Sequence, residues 1–478
     1  MLVNFIGVGL GLSDDSYYII QAQKPENISG SITQFGYYTR WPYLAAGQDI
    51  KWFRIHGVLI LLSTSSVFSF FFHRYVVERN LEYPDIFSSS CLLLGSGLAF
   101  YFWRWYPSPS YNWLNLIACL LIGSALLAFT LPQLKKKFFL TGSALILGLG
   151  FGFTFLAKPT STVLLFFSVV WWLWLNWSRK TGVYFVGVAT ASLISLIAWH
   201  IWGELGGLSI FSQNLALGFT YSEVLQSRHG LLQICLRAIF GVSSAVASGM
   251  LLWFVFSKLC KAKVSQRKFH DRDESIRHRL FLTISITSIS LLAIMWIDPG
   301  SILAATYVAL IPVYAVIYLF ELPQTSLALD VPGKTWLWNK LAPVMLLLSL
   351  SFSYGLGSSL GFSNIMTGAQ IFLASACLFI AWLIDKQCST RDFSNVTCLF
   401  IIASLILLVY SEIKQPCRLS SSLNEQSITV DFYQSYNSLK VDPLTAEYAG
   451  NLTGLAAAGN WQAQTPLIDM TGATPAHL

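Results

Sequence analysis

The chain has 478 residues, of which 54% are hydrophobic, 15% aromatic and only 11% charged, with a formal net charge of +7. Soluble domains carry about 25% charged residues, so this much apolar surface has no place in a water-soluble core. The composition excludes an ordinary soluble enzyme and points to helices in lipid, where the backbone must satisfy its own hydrogen bonds.

The apolar residues fall into blocks of about 17–24, long enough to cross about 30 Å of hydrocarbon at about 1.5 Å per residue. In chain order the blocks lie at 55–72, 87–103, 113–131, 139–157, 160–177, 182–202, 234–257, 280–297, 302–320, 341–360, 369–384 and 396–411. Residues 1–12 are apolar but too short to span, and read as the outer end of a first helix or as an interfacial stretch. They lack the basic start and small-residue cleavage site of a signal peptide. The pattern predicts an all-α polytopic membrane protein of about 12–13 transmembrane helices. Residues 1–411 form its membrane domain, and 412–478 a short extracytoplasmic α/β segment. Two loops, 13–54 and 203–237, are too long for simple turns. Their aromatic and apolar residues, such as Tyr37, Tyr38 and Trp41, then Leu208, Phe211 and Leu215, suit amphipathic helices along the membrane surface.

Lysine and arginine resist translocation and so orient the chain. Threading the spans alternately puts 19 of the 30 Lys and Arg residues in the short loops of one side, which is therefore cytoplasmic; the other 11 spread over the longer segments opposite. The densest basic run, Lys258–Arg279, is interrupted by Asp271, Asp273 and Glu274 and has no aromatic platform. It reads as a topogenic anchor and not as a nucleic-acid-binding surface. The eight cysteines show no spacing that suggests a disulfide or a zinc site.

Chemistry is expected where charge meets lipid, because ionisable groups there are costly unless paired or useful. Three places on the predicted outer side qualify. The first is Ser13-Asp14-Asp15-Ser16-Tyr17-Tyr18. Two adjacent carboxylates repel unless a cation or basic side chain sits nearby, which suits a general base or a divalent metal ion held by Asp14 and Asp15. The bland alternative is a helix cap with solvated acids; the functional reading places both acids at an aqueous edge, where substitution removes activity and leaves folding intact. The second is Lys158, in an Ala-Lys-Pro-Thr turn between two spans. An ammonium there can neutralise phosphate, or simply snorkel to the membrane edge. The third is Arg104 with the rigid turn Pro107-Ser108-Pro109-Ser110-Tyr111-Asn112, a connector type that is mostly structural. Gly148 and Gly152, four apart, suit close helix packing.

The acidic pair after the first apolar segment, the long amphipathic first loop and the Gly-rich helix from Gly148 to the turn at Lys158 together resemble the GT-C superfamily of membrane glycosyltransferases. More narrowly they look like bacterial relatives of protein mannosyltransferases and lipid A aminoarabinose transferases. The resemblance covers 1–411 in layout, and its residue-level support is confined to these short motifs. It implies a multi-pass protein of the bacterial inner membrane that takes a sugar from a polyprenyl-phosphate donor to a glycan, lipid or protein acceptor at the outer face. Asp14 or Asp15 would act as base, Lys158 with Arg40 would hold the donor phosphate, and Tyr18, Arg104, Tyr111, Asn112, Arg228 and His229 would line the substrate. The family's acidic motif is usually Asp-Glu, whereas this chain has Asp14-Asp15, which leaves the base assignment open between them. Relative to a full-length member, both ends read as incomplete. The runner-up is a transporter or flippase of lipid-linked or small solutes, which would place ionisable groups near the bilayer midplane. Here the polar groups gather at one face.

Overall fold

The computed structural model describes residues 2–11, 14–27, 33–78, 86–102, 107–131, 136–226, 333–355, 370–376, 378–379, 406, 409–410, 412–416, 419, 421–432 and 437–459. These are mostly helical, with little sheet. The predicted spans at 234–257, 280–297 and 302–320 lie outside the described residues, as does most of 396–411, and so do Arg104, Arg228 and His229.

In chain order the helices are α1 (Leu2–Phe5), α2 (Asp14–Gln23), α3 (Gly36–Ala45), α4 (Ile50–Glu78), α5 (Ile86–Leu98), α6 (Tyr111–Thr130), α7 (Lys137–Ala157), α8 (Pro159–Leu175), α9 (Arg179–Trp199), α10 (Leu208–Gln226), α11 (Gly333–Gly355) and α12 (Pro443–Ala458). Among the described residues, four helical stretches are long and apolar enough to cross a membrane: Ile50–Glu78, Tyr111–Thr130, Lys137–Ala157 and Arg179–Glu204. The 29 residues of α4 rise about 43 Å at about 1.5 Å each, more than the hydrocarbon thickness. On α8, Val163, Phe166, Phe167, Val170 and Trp174 are all exposed, while Leu165, Val169 and Trp172 face inward. That outward apolar stripe, spaced by three and four residues, is stable only against apolar surroundings.

α6 is the centre of the bundle, buried along nearly its whole length and packed against α4, α7, α8 and α11. Its start is set by Ser110, whose hydroxyl accepts from Trp113 N at 3.2 Å, an N-cap that satisfies one of the first turn's free donors. The glycines of α7 let its neighbours approach on two sides. A Cβ at Gly148 would collide with the Ala189 carbonyl of α9 and one at Gly152 with the Leu196 side chain, while one at Gly150 would come 2.8 Å from Ile122 of α6. Between α7 and α8 the backbone breaks at a single residue, Lys158 (φ −149, ψ 86). Proline bars the helical region to the residue before it and is pre-set for the first helical position, so Lys158-Pro159 ends one helix and starts the next.

Residues 2–11 depart from the helical reading of this stretch. Only α1 is helical; the chain then extends, and Val8 pairs in parallel with Lys440. Lys440 lies in β2 (Asn437–Val441), which is antiparallel to β1 (Ile428–Phe432), with Ile428 opposite Val441. The N-terminal segment thus docks on the tail as a third extended segment, its ladder closed by Gly9 N donating to Lys440 O (2.8 Å) and Lys440 N to Gly7 O (3.2 Å). Leu10, Ile19, Ile50, Leu439 and Val441 form the small core beneath it, apolar contacts that a continuous helix over 1–12 would not make. α12 follows β2, capped by Asp442.

Candidate functional site

Arg54, in the first turns of α4, organises the acidic end of α2. Its guanidinium is fully buried and donates to Asp15 Oδ2 at 2.7 Å, Gly9 O at 2.9 Å, Ile6 O at 3.0 Å and Ser108 Oγ at 3.3 Å, with Val8 O at 3.5 Å. An always-charged planar fork fits this arrangement, because several acceptors converge on it from different directions. Asp15 is therefore not at an aqueous edge, as its sequence neighbourhood suggested: it is 3% exposed, while Asp14 beside it is half-buried. Asp15 Oδ1 is buried with no hydrogen-bond partner. The two acids are thereby made unequal. One is neutralised and fixed in place, and the other lies nearer the surface.

The donor set argues against a metal ion at the pair. A guanidinium already occupies Asp15 Oδ2, and among the described residues no third His, Cys, Asp or Glu joins the two acids. Divalent cations such as calcium or magnesium need several oxygen ligands.

Lys158 is 2% exposed. Its ammonium donates to Tyr354 O at 3.0 Å and lies 5.5 Å from the ring centre of Tyr111 and 5.3 Å from that of Tyr354. The Tyr354 carbonyl belongs to the last turn of α11, where a helix dipole presents its negative end, and the ring faces add cation–π attraction. Asn115 Nδ2 donates to the same carbonyl at 3.4 Å. Burial pushes the Lys158 amine down to about 7, so near neutrality its charge responds to whatever approaches it. This is not a snorkelling lysine, since its head points into protein.

Aromatic rings join the two charged places. Tyr18 of α2 meets Tyr111 with ring centres 6.0 Å apart, and Phe35 packs on both at 5.8 and 6.0 Å. The segment ahead of α3 is held to the lysine turn by Gln34 N donating to Leu156 O. Gly36 lies so close to α2 that a Cβ would come 2.5 Å from Gln21 O. The acidic pair, the Pro-rich turn and the lysine turn, far apart in sequence, thus share one end of the bundle. Asn112 is buried there, its Oδ1 without a hydrogen-bond partner. Arg40 does not join the cluster: it pairs with Glu26 at 3.0 Å on the surface.

Sequence reading missed Arg54 and Tyr354. Arg54 had a signal, an arginine at the start of a long apolar run. Tyr354 had none. No protein-family model, no curated protein and no solved structure matches this chain.

Proposed function

We propose that the chain is a polytopic membrane glycosyltransferase of GT-C type, acting at the outer membrane face on a polyprenyl-phosphate-linked sugar. The observation that carries this reading is the union of an acidic first turn and a buried lysine through Tyr18 and Tyr111. A base and a phosphate-binding cation are the two functions such a transfer needs.

Asp14 takes the proton of the acceptor hydroxyl, and the oxygen bonds to the anomeric carbon as the bond from that carbon to the carrier phosphate breaks. The phosphate departs with the electron pair of that bond, and Lys158 neutralises it. Asp15 and Arg54 hold α2 and the N-terminal segment, keeping Asp14 in register with the acceptor. A site at helix ends suits a lipid-linked donor, which arrives within the membrane plane and not through a soluble nucleotide-binding fold.

The test is donor consumption by purified protein supplied with a polyprenyl-phosphate sugar. Asp14→Asn should cut turnover by about 100-fold or more, the scale of a lost general base. Full turnover in this variant removes the base from the mechanism. Donor carried across vesicles without being consumed would mean a transporter or flippase instead.

A further inference from the structure

A second group of buried polar atoms lies beside this cluster and takes no part in the proposed transfer. His200 opens a π-helical turn, His200–Glu204, at the end of α9. It is fully buried, yet neither of its ring nitrogens has a hydrogen-bond partner, and the buried Tyr38 hydroxyl has none either. Three unmet polar atoms in one place are costly, and π-turns recur at functional positions. The rings around them are aromatic: Tyr38 stacks on His200 at 5.6 Å, Tyr37 meets it edge-on at 5.3 Å and Phe211 at 6.3 Å.

The chemistry of these atoms selects the ligand. A neutral imidazole offers one donor and one acceptor, and a phenol offers both. Burial, helped by Glu204, pushes the Tyr38 phenol above its ordinary range and keeps it a hydroxyl. Glu26 and Glu204 outweigh Arg40 in the field at Tyr37, which disfavours an anion. Paired donors and acceptors among aromatic faces, with the nearby Arg40 already paired to Glu26, match the hydroxyls and C–H faces of a neutral sugar.

The cover is α10. It follows Gly206 (φ 78) and Gly207 (φ 147), left-handed positions where only glycine is unstrained. Among the described residues α10 rests on the site through Phe211 and Leu215, while Leu208, Ile210 and Leu217 are exposed. We propose that His200 and Tyr38 form a second binding site, for a neutral hydroxyl-bearing ligand of sugar type, with α10 as a cover that turns on Gly206 and Gly207. Phe153 of α7, five residues before Lys158, packs on Tyr38 with ring centres 5.3 Å apart. The site therefore adjoins the transferase cluster but does not depend on that function.

The experiment is saturation-transfer NMR of the full chain in phospholipid nanodiscs, free of glycosidic detergent, with a methyl glucoside as probe. Wild type should give a saturable signal. His200→Phe and Tyr38→Phe keep the ring packing and should each weaken binding about tenfold, the loss of a buried hydrogen bond. Tyr38→Phe removes one oxygen and serves if His200→Phe does not fold. Asp14→Asn should bind as wild type, so loss of the transferase reading would leave this result standing. No saturable signal from wild type, or binding as tight as wild type by both ring variants, would overturn the proposal.

Discussion

Asp15→Asn separates the two members of the acidic pair. The amide keeps the shape of the side chain and removes the charge that faces Arg54 at 2.7 Å. Arg54 retains Ile6 O, Val8 O, Gly9 O and Ser108 Oγ, which solvate it as dipoles but do not neutralise it. Removing one partner of a buried pair costs about 3–5 kcal/mol, mostly from the charge left behind; the retained dipoles put Asp15→Asn near the lower end, about 3 kcal/mol. That is roughly 150-fold in the folding equilibrium. Asp14→Asn, at a half-buried position, should stay within about 0.5 kcal/mol. Arg54→Leu should cost at least as much as Asp15→Asn, and the double variant less than the sum, because no buried charge remains once both are gone. Reversible unfolding of the detergent-solubilised variants in SDS measures all four. Equal stabilities for Asp14→Asn and Asp15→Asn, or strict additivity in the cycle, would refute the buried pair.

Lys158→Met should lower donor turnover about tenfold to a hundredfold, the loss of a charge-assisted bond of about 1.5–3 kcal/mol, with Lys158→Arg recovering only part. Free rescue by arginine would reduce Lys158 to an anchor. Because burial sets the folded Lys158 at about 7 against about 10.4 unfolded, the unfolded chain binds more protons between those values. Stability should therefore rise with pH from 7 to about 10, and donor affinity fall, with both trends absent in Lys158→Met. Gly148→Ala should destabilise by about 1–3 kcal/mol through collision with the Ala189 carbonyl. Gly187→Ala, which meets nothing within 4 Å, should be neutral or stabilising in the same unfolding assay. Gln226→Cys should react with an impermeant thiol reagent in intact cells and Gln266→Cys should not, as the charge asymmetry requires; reversed labelling would overturn the topology.

What the sequence determines by itself is local and compositional. Apolar blocks predict where helices run and Lys158-Pro159 where one must break, because each rests on neighbours within a turn or two. The acidic pair and the lysine turn were visible for the same reason: charge beside an apolar run stands out. Their environments were not visible. Asp15 is distinguished from Asp14 only by Arg54, 39 residues away, and the cage around Lys158 only by Tyr354, 196 residues away. Adjacent carboxylates are alike in sequence; burial and pairing separate them, and those depend on which helices meet. The N-terminal segment shows the same limit. Its apolar run suits a helix, but Arg54 and Lys440 hold its backbone extended, since a tertiary partner for the peptide groups outweighs a weak local preference in so short a stretch.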